Sequence, residues 1–171
     1  DLTGDWSSDV CSSDLAEGGG LLSEAPQDLI PLLAHVAEEL NATAGQRIHL
    51  TLPAEGDVLS TIDPDAFAIL LRNLIENALK HGAPDQPVEV SLSSQALLTV
   101  VNAGSTVPAQ VLERLTERFV RGNSEANGSG LGLAIAQTIV RGVEATMSLA
   151  SPATDKQDGF EVRVQFVLAR P

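Results

Sequence analysis

The chain has 171 residues, 43% hydrophobic and 19% charged, enough for one globular domain with a core plus a tail. A formal net charge of −13 excludes a nucleic-acid binder working through a basic stripe. It leaves room for a nucleotide, whose phosphates need only local positive potential, a metal or a helix N-terminus. The single cysteine, Cys11, excludes an intrachain disulfide or a cysteine zinc site, and no apolar run reaches the roughly eighteen residues that span a bilayer.

At the start, Ser7-Ser8-Asp9-Val10 and Ser12-Ser13-Asp14-Leu15 form a near-repeat around Cys11, followed by Glu17 and three glycines. With no helical or strand period, and no basic or apolar region of a signal peptide, residues 1–24 are expected to be disordered, a non-native or linker segment. Residues 25–171 are expected to form the domain. Leu29, Leu32, Leu33, Val36, Ala37 and Leu40 recur at helical spacing, predicting a helix opened by Pro26 and closed near Gly45. Strands are predicted at Ile48–Leu52 and Val58–Ile62. Asp63 as N-cap and Pro64 at the first helical position begin a long helix that should stop at Gly82.

A hairpin is predicted from Val88–Leu92 and Leu97–Val101, then a helix from Pro108 to about Arg118. A polar, glycine-containing loop over 119–129 leads to a helix from Gly130 to about Arg141, and strands at Thr146–Leu149 and Phe160–Leu168 close the chain. This order implies a two-layer α/β sandwich with a mixed, mostly antiparallel sheet and helices on one face.

On the long helix, Asn73, Glu76, Asn77, Lys80 and His81 share an arc roughly 140° wide at about 100° per residue. Phe67, Leu71, Leu74, Ile75 and Ala78 point the other way. A solvated amphipathic face would explain the segregation. It explains the residue types less well, because asparagine is a poor helix former and the mixture makes no ion-pair ladder. An asparagine carbonyl is a neutral oxygen ligand for Mg²⁺, which makes Asn77 the candidate metal ligand with Asn73 one turn earlier. Glu76 is placed to accept a proton or position water, Lys80 to meet phosphates, and His81 to lay a flat ring beside a base.

Gly128-Ser129-Gly130-Leu131-Gly132-Leu133 follows the polar loop and opens an apolar helix. Alternate glycines let backbone N–H groups approach a phosphate at a helix N-terminus; a flexible loop with a glycine cap is the plainer alternative. The spacing is neither a P-loop nor a dinucleotide-binding fingerprint.

Taken together, these segments resemble the sensor histidine kinases. Asn73 through His81 looks like their N box, Glu117-Arg118-Phe119-Val120-Arg121-Gly122 resembles their F box, and residues 128–133 their second glycine box. The resemblance covers about residues 25–168 and implies the Bergerat (GHKL) ATP site, with a lid over 119–130. It implies ATP and Mg²⁺ as ligands, Asn77 on the metal, and Asn73 on the phosphate side. It further implies Lys80, Arg118 and Arg121 near phosphate charge, and backbone contacts from Gly128, Ser129, Gly130, Leu131 and Gly132. Gyrase-type relatives carry a water-activating glutamate where Asn73 stands, so the resemblance implies phosphoryl transfer to a protein histidine rather than hydrolysis.

One motif departs from the family pattern. The first glycine box, usually Asp-x-Gly-x-Gly, reads Asn102-Ala103-Gly104-Ser105-Thr106. Asn102 keeps an acceptor for the adenine amino group but loses charge assistance, and Thr106 in a glycine's place predicts a less permissive turn. None of His35, His49 and His81 has the local pattern of a phosphoacceptor. The expected partners are therefore a phosphoacceptor histidine domain N-terminal to this one, through which the parent would dimerise, and a response regulator. The domain is expected to be cytoplasmic, its parent in a bacterial inner membrane. A catalytically degenerate regulatory module and an anti-sigma-type serine kinase are the alternatives.

Overall fold

Alternating apolar residues dictate the sheet. The computed structural model describes residues 20–121 and 129–170. Its strands are β1 (Leu22–Asp28), β2 (Ile48–Thr51), β3 (Leu59–Ile62), β4 (Val88–Leu92), β5 (Leu97–Asn102), β6 (Thr146–Ala150) and β7 (Phe160–Gln165). Its helices are α1 (Leu29–Ala44), α2 (Pro64–His81), α3 (Ala109–Arg121) and α4 (Ser129–Gly142). A five-stranded sheet runs β2-β4-β5-β7-β6, with β2 and β4 parallel and every other pair antiparallel. Registers Val90↔Val100 and Val100↔Val162 align buried residues in rows on one face, while Glu89, Thr99 and Arg163 face outward.

Helices cover the apolar face. Leu33, Val36 and Leu40 of α1, Phe67, Leu70, Leu71, Leu74 and Ile75 of α2, and Ala136, Ile139 and Val140 of α4 share one core with the sheet. The Phe67 ring meets Phe166 edge-on, with centroids 5.6 Å apart. This is the expected two-layer α/β sandwich. No described helix is long and apolar enough to cross a membrane.

Both ends of α2 follow their sequence signals. Asp63 accepts hydrogen bonds from the N–H groups of Asp65 and Ala66 at 2.9 and 3.1 Å, with Pro64 in the first turn. Gly82 closes the helix by donating to the Ala78 carbonyl at 2.8 Å. A Cβ on Gly82 would lie 2.7 Å from that oxygen and 2.9 Å from the Cβ of Asn102. The bare Cα therefore lets the helix end press against the end of β5, which brings α2 to the site.

Four expectations need correction. The boundary at residue 24 falls inside β1, and Leu21 is already in the core, its side chain filling the space beside Gly142 where a Cβ would clash at 2.0 Å. α1 starts at Leu29 rather than Pro26, because Asp28 is the cap. Its carboxylate accepts from Ile30 N and Val58 N, both at 3.1 Å, while Pro26 lies within β1, paired antiparallel with β3. The stretch expected as a loop over 119–129 is shorter, since α3 continues through Arg121 and α4 begins at Ser129. Residues 117–121 contain no helix breaker, and Gly122 is the first. The final strand likewise ends at Gln165; beyond it Phe166 N donates to Ala96 O and Ala169 N to Leu59 O. Residues 1–19 lie outside the described residues.

Candidate functional site

Where α2 meets the end of β5, a cleft of about 320 Å³ opens between two walls. One carries Asn77 and His81 of α2, Asn102 of β5 and Phe160 of β7. Facing it are Ser105 and Val107, then Val111 and Leu115 of α3 and Leu133 of α4. The size suits a small ligand, and the lining is mostly apolar with a few polar groups.

The polar arc of α2 divides at this cleft. Asn77 and His81, on one edge of the arc, line it; Glu76 and Lys80, toward the other edge, are exposed and do not. Asn73 lies between them and donates its side-chain N–H to the carbonyl of Ile69 at 2.7 Å, one turn back on its own helix. The half-buried amide of Asn77 has no hydrogen-bond partner among the described residues. His81 has a pKa lowered from the ordinary 6.5, first by burial and then by the charge of Lys80. The shift favours the neutral ring.

Asn102 occupies the row Val88↔Asn102↔Phe160 on the buried face of the sheet and is 5% exposed. Its amide nitrogen donates weakly to Ala103 O at 3.3 Å, and its Oδ1 has no partner among the described residues. An amide oxygen on the lining of an apolar cleft is an acceptor that a ligand donor can meet.

The turn after Asn102 is fixed from two sides. Ala83 N donates to Ala103 O at 2.9 Å, and Gly159 N to Gly104 O at 2.9 Å. Gly104 has φ +138°, in the region that favours glycine, whereas Thr106 has no positive φ. The single glycine thus carries the turn. Neither Gly104 nor Thr106 lines the cleft; the Thr106 hydroxyl reaches toward Gln157 O at 3.4 Å.

Gly128 lies outside the described residues, and so do the side chains of Arg118, Arg121, Ser129, Leu131 and the neighbouring glycines Gly130 and Gly132. The α4 backbone starts at Ser129, beside the cleft-lining Leu133. Among the described residues no group of three His, Cys, Asp or Glu could hold a metal.

Sequence reasoning missed two kinds of residue. Val107, just before α3, and Val111 and Leu115 on it are spaced at four, and that apolar spacing was a readable signal. Arg47 gave no signal. Its guanidinium donates to Leu79 O, Ala83 O and Gln86 O at 3.3, 2.9 and 3.3 Å, tying the end of α2 to the segment that holds the Asn102 turn.

Comparison with known proteins follows the same lines. Residues 62–170 match the family described as histidine kinase-, DNA gyrase B- and HSP90-like ATPases. The sensor protein VanSC of Enterococcus gallinarum is 31% identical over 150 residues, which cover 84% of this chain and 38% of that protein. The signal transduction histidine-protein kinase BaeS of Escherichia coli (strain K12) is 32% identical over 164 residues, covering 90% of this chain and 34% of that one. The chain thus spans well under half the length of either relative. The solved structure of the mycobacterial sensor histidine kinase MprB shares the fold, with a TM-score of 0.66 at 22% identity over 84% of this chain and 98% of that one. With more than half of its length matched, and an open nucleotide-sized cleft on this fold, the chain belongs to the histidine kinase-, DNA gyrase B- and HSP90-like ATPase family, as an ATP-binding catalytic domain of the sensor histidine kinase type.

Proposed function

We propose that the cleft binds ATP with its base against the apolar wall and its phosphates toward Asn77, for transfer of the γ-phosphoryl group to a protein histidine. One observation carries this reading: two side-chain amides, Asn77 and Asn102, face a single apolar cleft with acceptor oxygens that no described group uses. Asn102 accepts from the 6-amino group of adenine, and the neutral His81 ring lies beside the base.

Mg²⁺ fits the donor set. It keeps few protein ligands and takes the rest from phosphates and water, so a lone amide oxygen from Asn77 suffices without a carboxylate cage. When bound, it neutralises charge on the phosphate oxygens. Backbone N–H groups of Gly128, Ser129, Gly130, Leu131 and Gly132, at the start of α4, meet phosphate at a helix N-terminus. Arg118, Arg121 and Lys80 add positive charge as the bridging P–O bond breaks and ADP leaves with the electron pair.

A neutral imidazole of the acceptor forms the new P–N bond, and its N–H proton passes to Glu76. The exposure of Glu76 suits contact with an incoming protein side chain better than contact with buried nucleotide. Asn73 stands on the phosphate side, and an amide there cannot act as base toward water, which favours transfer over hydrolysis. The acceptor histidine belongs to a phosphoacceptor domain through which the parent dimerises. A response regulator then receives the phosphoryl group, with the parent in a bacterial inner membrane and this domain on its cytoplasmic side.

Calorimetric titration of the full chain with ATP, with and without Mg²⁺, tests the reading beside Asn77→Ala. Binding should require the metal and weaken about 10–100-fold in the variant. A folded chain that takes up no ATP at roughly millimolar concentration contradicts it.

A further inference from the structure

We infer that Ser151, which does not line the cleft, is the positioning residue that sets the spacing of its two walls; this rests on the nucleotide reading above. The Val107 N–H donates to Ser151 Oγ at 2.8 Å, and the same hydroxyl donates to Gly159 O at 2.6 Å. Val107 leads into α3 on one wall of the cleft, and Gly159 immediately precedes Phe160 on the other. One half-buried hydroxyl thus joins the backbones behind two cleft-lining side chains from opposite walls. Neither the Val107 N–H nor the Gly159 carbonyl is used by a helix or a strand ladder, so the hydroxyl is what satisfies them.

The β6–β7 loop that carries Ser151 is itself anchored on the outer face of the sheet. The Thr154 hydroxyl donates to the buried carboxylate of Glu161 at 2.8 Å, and Lys156 pairs with Glu89 at 2.7 Å. Arg163 Nε approaches the same Glu161 oxygen at 2.7 Å as an ion contact without hydrogen-bond alignment. Gly159 packs closely on the end of β5, since it holds φ +89° and a Cβ there would lie 2.7 Å from Asn102 O. The loop is therefore fixed at both ends, and Ser151 transmits that fixed position to Val107. Slot width between Val107 and Phe160 decides how closely a flat base is gripped, since dispersion contacts fade within a fraction of an ångström.

The test combines amide exchange at Val107, followed by NMR without nucleotide, with calorimetric ATP–Mg²⁺ affinity, in the full chain and in Ser151→Ala and Ser151→Thr. Ser151→Ala should speed Val107 exchange and weaken ATP binding about tenfold. Ser151→Thr, which keeps the hydroxyl, should restore both. If Ser151→Ala does not fold, Ser151→Cys, with a weaker donor and acceptor of similar shape, is expected to move both readouts the same way. Unchanged Val107 exchange overturns the link itself, whatever the nucleotide does. Faster exchange with unchanged ATP affinity overturns the positioning role and leaves the nucleotide reading standing. Wild-type chain that exchanges as expected but binds no ATP removes the reading on which the inference rests.

Discussion

Both α2 and α3 border the cleft, yet α2 turns polar side chains toward it and buries its apolar ones, while α3 turns apolar side chains toward it. On α2, Ala66, Phe67, Leu70, Leu71, Leu74, Ile75 and Ala78 are buried in the core, and Asn77 and His81 reach the cleft. On α3, Val111 is 38% exposed and Leu115 half-buried, and no described side chain is fully buried. The first helix is held by the domain whether or not a ligand is present. The second packs only partly against the core through Leu112 and Leu115, and leaves apolar surface of Val111 and Leu115 on the cleft.

That contrast sets the order of effects. Phe67→Ala, at 0% exposure against Phe166, should cost about 3–5 kcal/mol by denaturant unfolding. A loss below about 1 kcal/mol would mean α2 is not the scaffold wall. Next, Arg47→Ala leaves the carbonyls of Leu79 in α2 and of Ala83 and Gln86 just beyond it without their donor and should cost about 1–3 kcal/mol. Arg47→Lys should recover little of it, since one ammonium on a flexible stem cannot reproduce the planar fork.

On the opposite wall, Val111→Ala should change stability by no more than about 0.5 kcal/mol. The same change should weaken ATP binding about fivefold through lost apolar contact. Equal effects on stability and affinity would erase the distinction between the walls. Smallest of all is a pH effect. Because burial and Lys80 lower the His81 pKa in the folded chain, the unfolded chain binds the proton more readily. Stability should be full above about pH 6.5 and decline slightly as pH falls through the lowered value. Thermal melts of His81→Gln should show a flatter profile across that window.

The same contrast explains what could be read in advance. α2 was legible in full because its cap, its stop and its two faces are written locally in Asp63-Pro64, Gly82 and the segregation of Asn77 from Leu74. The hairpin β4–β5 was legible for its period of two. β1 was not: Leu22–Asp28 has no alternation and contains Pro26, and only pairing with β3 makes it a strand. Leu21 enters the core beside Gly142, a placement that no periodicity announces. Within the site, Asn77, His81 and Asn102 converge on the cleft, whereas Glu76 and Lys80 share their arc without reaching it. An arc of this width is broader than the cleft, and sequence spacing does not say which edge faces the sheet. Arg47 and Ser151 act through backbone carbonyls and amides far away in sequence, so no local pattern marks them.

The central claim is that one nucleotide occupies the space between a polar scaffold wall and an apolar wall. The most direct test is NMR mapping of the full chain titrated with ATP and Mg²⁺. The account predicts shifts at the side-chain amides of Asn77 and Asn102 together with the methyls of Val107, Val111 and Leu115. Resonances of His49 and Thr51, on the outer face of the sheet, should stay in place. Shifts confined to that outer face, or none at all in the folded chain, would contradict it.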